Sequence, residues 1–196
     1  MNRARRLLGR PWFAGVLVAS LIAVAAGLYW FQPWQLWVDE TVNESLPAAP
    51  APASSVAQPV STAPSPVEQA EPAEQAEPAE VATGTLISHE HRTTGTVRVL
   101  RGPGGSLVLR LENLATSSGP DVHVWLTDAP VKPGKDGWGV FDDGKHLDAG
   151  RLKGNKGNQN YELPAGTELA GYTSVSLWCD RFDVSFGAAE LTRTAT

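Results

Sequence analysis

SLVLRLE, residues 106–112, decides the fold class. Leu107, Leu109 and Leu111 fall on one side of an extended chain, with Val108, Arg110 and Glu112 on the other, because successive side chains of a strand point to opposite faces. One apolar row beside a mixed one describes a strand that covers a core on one side. Outward from it, similar short runs rich in Val, Leu, Phe and Trp are separated by Gly, Pro, Asn and Asp, at 84–88, 95–101, 121–127, 159–163, 173–179 and 182–187. No window after residue 83 shows an apolar stripe of helical period. Short strands at this density predict an all-β domain over 83–193, a single antiparallel β-sandwich or small barrel, with 194–196 as a tail. The stretch 128–150, DAPVKPGKDGWGVFDDGKHLDAG, reads as a long surface loop by its Gly, Pro and Asp content.

Upstream the chain changes character. Residues 45–82 hold eight prolines, the near-repeat EPAEQAEPAE and no aromatic side chain. Such a segment buries too little apolar surface to offset its ordering entropy. The expectation is therefore an extended, disordered linker over 32–82, whose 45–82 part is a spacer with a reach of up to about 100 Å. Ahead of it, WFAGVLVASLIAVAAGLYWF, residues 12–31, carries no charge and as a helix spans about 30 Å, the thickness of a hydrocarbon core. Trp12, Tyr29, Trp30, Trp34 and Trp37 flank it, the residue types that favour the headgroup boundary. Arg3, Arg5, Arg6 and Arg10 place residues 1–11 in the cytoplasm by the positive-inside rule. The expectation is a cell-membrane protein with one transmembrane signal-anchor and its C-terminal domain outside the cytoplasm. The competing reading is a signal peptide cleaved after Ala25, at Ala23-Val24-Ala25, but the Gly27–Phe31 segment that would follow is apolar.

Charge narrows the partner classes. From Asp39 to Glu80 there are eight acids and no base, while Val81 onward carries 12 basic and 13 acidic residues. A near-neutral domain lacks the clustered basic face that nucleic acid requires. One cysteine, Cys179, forms no intrachain disulfide, so the fold rests on its apolar core.

Candidate chemistry is sparse. In SVSLWCDRFDVSF, alternation sets Val175, Leu177 and Cys179 on one face and Ser174, Ser176 and Trp178 on the other. Cys179 then reads either as a buried small hydrophobe or as a redox thiol or ligand, which needs a cation, a metal or a lowered pKa. His123, between Asp121 and Trp125, either faces solvent or converges on Cys179 from a neighbouring strand. His89 and His91 lie two apart, but no third ligand stands at a recognisable spacing, so no metal site is expected. Asp142, Asp143 and Asp148 miss the calcium-loop pattern, and no nucleophile elbow, phosphate loop or zincin motif is present. LKGNKGNQNYELP, residues 152–164, reads as a chain reversal in which Gly154 and Gly157 can take positive φ.

Three segments, SSGPDVHVWLTD (117–128), LKGNKGNQNYELP (152–164) and SVSLWCDRFDVSFGAAEL (174–191), follow an opening GTL at 84–86. In that order they resemble the DM-thirteen domain family, found in animal Skeletor proteins and often beside DOMON domains. The resemblance covers about residues 83–193. It implies an all-β electron-transfer module whose characteristic cysteine falls at Cys179, acting as a thiol or holding a prosthetic group such as haem. For haem, Cys179 offers a thiolate and His123 an imidazole as axial ligands, and Met1, the single methionine, lies at the far end of the chain. A protein redox partner is implied as well. The alternative is a non-redox surface module that binds a ligand or protein, with Cys179 as core packing.

Overall fold

The computed structural model describes residues 11–46 and 78–194. Helix α1 spans Pro11–Phe31 and is followed by eleven strands: β1 (Thr41–Asn43), β2 (Ala79–Thr85), β3 (Ile87–Ser88), β4 (Thr94–Arg101), β5 (Leu107–Ala115), β6 (Val122–Thr127), β7 (His146–Arg151), β8 (Lys156–Glu162), β9 (Ser174–Cys179), β10 (Val184–Glu190) and β11 (Thr192–Arg193). They build one sheet in the order β1-β8-β5-β4-β2-β11 and a second in the order β3-β10-β9-β6-β7. The chain is mostly β, as expected, and the two sheets pack face to face. The leucine row of β5 is the reason. Leu107, Leu109 and Leu111 point inward and share one core with Val124, Leu126, Val175, Leu177 and Phe186 of the second sheet. Each such side chain contributes about 1.5–3 kcal/mol when fully buried. On the opposite face of β5, Arg110 pairs with Glu112, which also pairs with Arg98, and Arg98 reaches Glu80.

Two expectations change here. Residues 146–150, read as loop, belong to β7, which pairs with β6. Leu147 and Ala149 pack on the core, while His146 and Asp148 alternate outward, so the strand carries too few apolar residues to signal itself. The segment 32–82 is also not a uniform linker. Residues 79–82 lie in β2, and β1 pairs in parallel with β8, a parallel pair in an otherwise antiparallel array. The expectation for 47–77 falls outside the described residues.

The motif LKGNKGNQN is what holds β1. Asn155 accepts a hydrogen bond from the Glu40 backbone N–H at 2.7 Å and donates to the Asp39 carboxylate at 2.9 Å. Lys156 meets Asp39 at 2.6 Å and Lys153 meets Glu44 at 2.7 Å. Arg110 and Asn160 donate to the carbonyls of Glu44 and Ser45. Gly157, at φ +97°, approaches so closely that a Cβ there would stand 2.1 Å from the Val42 carbonyl oxygen. The chain therefore enters the β-domain within residues 32–40 of the helix end, a reach of at most about 30 Å. The proline-rich stretch follows that entry, so it does not set the distance between α1 and the domain.

Among the described residues, α1 is the one helix long and apolar enough to cross a membrane, and its side chains are almost all exposed. Its C-terminal end touches the domain. Arg181 donates to the Trp30 carbonyl at 2.9 Å and lies over the Trp30 ring, Phe31 stacks on Phe182 at 5.8 Å, and Ser118 donates to Gln35 at 3.2 Å.

Candidate functional site

Strand β9 is buried on both faces, so its alternation distributes residues between two environments. On the inner face Cys179 is 0% exposed and belongs to the sandwich core with Val175 and Leu177. Burial pushes its thiol pKa up, opposed by the backbone N–H groups of Phe182, Arg181 and Asp121. An enclosed thiol with a raised pKa holds little thiolate at neutral pH.

His123 lies across from Trp178 in the β6–β9 ladder, whereas Cys179 lies across from Val122. Directly opposed residues share a face, so His123 points to the outer side of the sheet and Cys179 to the inner side. The imidazole is engaged there: Nδ1 meets Asp148 at 2.8 Å, and Nε2 lies 3.4 Å from Asp121 and 4.0 Å from Asp180. Asp180 has its pKa raised, first by burial and then by the neighbouring acids, with His123 opposing. The expected pair of axial ligands is thus separated by the sheet itself. A haem held between Cys179 and His123 does not fit this arrangement.

The outer face of the second sheet carries what the strand pattern only hinted at. His146 of β7 stacks on Trp125 of β6 at 4.1 Å and 7°, and Trp125 stacks on Trp178 of β9 at 5.2 Å. Phe141 meets Trp178 edge-on at 6.4 Å and His89 at 5.7 Å. Phe141 and Trp178 are almost fully buried, because the 128–145 segment folds over this face and supplies Phe141, Ala129 and Val131 to a second apolar cluster. Ser185 donates its backbone N–H to the Trp138 carbonyl at 2.8 Å, and Gly137 packs against the Lys132 carbonyl and His89 with no room for a Cβ. The segment read as a surface loop is a cover. Its legible signal was Trp178 standing among serines on the supposedly polar side of β9, since a large aromatic there calls for a second layer.

His89 ends the row. Its Nε2–H donates to the Lys132 carbonyl at 3.1 Å and its Nδ1 meets the Ser185 hydroxyl at 2.8 Å. Burial pushes the ring's pKa down. His91 turns elsewhere, onto the Phe186 ring at 3.9 Å. Phe186 links the two, since its carbonyl accepts the His89 backbone N–H at 3.1 Å. A nearly continuous row of rings therefore runs from exposed His146 through Trp125, Trp178 and Phe141 to His89, while Phe186 belongs to the inner core and carries His91 against its ring. Asp142 and Asp143 remain exposed on the cover segment.

The sequence profile of a family described as electron transfer DM13 matches residues 85–191. No curated protein and no solved structure gives a significant match.

Proposed function

The chain belongs to the DM13 electron-transfer family, and from that premise we propose that it is a membrane-held module that moves single electrons along the aromatic face of its second sheet. α1 crosses the cell membrane once with the arginine-rich end in the cytoplasm, and the β-domain stands outside, close to the bilayer. The match over 85–191 is the observation that carries the reading. The ring row supports it, since electron tunnelling falls off steeply with each gap and stacked rings keep the gaps at contact distance.

In this reading the row bridges two docking positions: a soluble redox protein at the exposed His146 edge, and a second redox group on the far side, past its His89 end. Cys179 supplies packing behind β9, and its enclosure favours that role over thiol chemistry. Protein-film voltammetry of the full chain in detergent, with a soluble one-electron redox protein as terminal partner, tests the proposal. A catalytic current that falls at least several-fold in Trp125→Leu and is retained in Cys179→Ala is expected. No current above a protein-free film would sink the electron-transfer reading, and a current lost only with Cys179 would return the role to the thiol.

A second reading, a non-redox binding module, is favoured by one observation, the complete enclosure of Cys179. It predicts a silent film.

A further inference from the structure

Where α1 meets the β-domain there is a cavity of about 300 Å³. Phe31 and Pro33 close it from the anchor side, and Phe182, Phe186, His91 and Ser118 close it from the domain. The walls are flat rings: Phe31 and Phe182 lie 21° from parallel, and His91 lies against Phe186 at 3.9 Å. Gly119 lets one wall pack closely, since a Cβ there would come within 2.7 Å of Phe186 and Val122. Its size is at the small end of ligand sites, and such sites are mostly apolar with a few placed polar groups.

We propose that this cavity binds the ring headgroup of a membrane-soluble isoprenoid quinone. This rests on the electron-transfer reading and names a membrane-side redox group for it. Three observations select the occupant. The cavity opens at the end of the helix that enters the bilayer, so a lipid-soluble ligand reaches it without crossing water. Its only formal charge is the acid Glu90, which opposes a phosphate headgroup and leaves a neutral ring acceptable. The hydrogen-bond groups suit carbonyl oxygens: the His91 ring and the Gln35 amide N–H border the space, and the Ser118 hydroxyl, donating to the Gln35 side-chain oxygen, orients that amide. Aromatic walls then hold a planar ring by stacking.

The test uses the full chain in phosphatidylcholine nanodiscs titrated with a decyl-tailed benzoquinone, following tryptophan fluorescence against empty nanodiscs. Saturable quenching is expected, with affinity about fivefold weaker in His91→Leu, the loss of one hydrogen bond, and weaker again in Phe182→Ala. Phe182 is 39% exposed, so its truncation leaves the core intact. Quenching that rises linearly with quinone in the membrane, or affinities unchanged in both variants, overturns the proposal. Absent binding alongside an intact voltammetric current would remove the quinone and leave the electron-transfer reading standing. Saturable binding with a silent film would do the reverse.

Discussion

Trp178 and Cys179 are adjacent in sequence and equally buried, yet they serve opposite sides of β9. Cys179 faces the sandwich core, where Val175, Leu177 and Val122 surround a thiol that burial keeps protonated. Trp178 faces a second, smaller layer, stacked on Trp125 and covered by Phe141. The inner face resembles any sandwich interior and is occupied by residues chosen for fit. The outer face spends a loop of 128–145 on covering rings that a solvent-facing strand would not carry. The difference teaches that one strand can serve two environments, and the proposed electron path runs on its covered outer face.

Substitutions on the two faces separate these roles. The largest effect is expected for Trp178→Ala, which empties the outer layer and costs about 3–5 kcal/mol together with the voltammetric current. Equilibrium denaturation and voltammetry on the same sample check it, and a variant that keeps its current would break the comparison.

Gly157→Ala probes a third place, the seat of β1. Positive φ and the Val42 carbonyl both resist a Cβ, so a loss of roughly 1–3 kcal/mol is expected. Hydrogen exchange should show residues 39–45 released while the core of β5 stays protected. Loss of protection throughout the sandwich would mean that β1 is part of the core rather than a clasp.

Cys179→Ala should cost only about 1 kcal/mol, the loss of one small buried group. In wild type, a maleimide should label Cys179 only under unfolding conditions. Rapid labelling at neutral pH would contradict the enclosed, raised-pKa thiol.

The smallest expected effects lie in pH. His89 and His91 have pKa values lowered by burial from 6.5. The unfolded chain then binds protons that the folded chain refuses, so stability should fall as pH drops below about 6.5. For Cys179 the folded pKa is raised above 9.0. The folded state keeps a proton that the unfolded state releases, and stability should fall as pH rises past about 9. Melting scans across both limits check the signs, and His89→Gln should shallow the acid limb.

Much of the fold was legible because it is written in local period. The leucines of β5 and the mixed face of β9 declare two-sided strands, and the uncharged run of α1 declares its length and polarity without any partner. The face occupied by Cys179 followed from alternation with Val175 and Leu177. Other features carried no such mark. β1 is three residues, Thr41–Asn43, with no alternation to read, and its strand exists only because Asn155, Lys153, Lys156 and two close glycines receive it from more than a hundred residues away. β7 has two modest apolar side chains in a Gly- and Asp-rich setting. Whether His123 would join Cys179 depended on the β6–β9 register, a long-range quantity that sets opposed residues on one face or the other.

The amino-acid sequence by itself determined a membrane-length helix, an all-β domain built on a leucine row, and a cysteine facing inward. Periodicity in a single strand or helix is enough for those. Tertiary structure alone decided that the chain joins the sheet before its proline-rich stretch, that 128–145 covers Trp178, and that a ring-walled cavity forms between α1 and the domain. Each of those depends on which distant segments meet, and side-chain order along one chain does not encode that meeting locally.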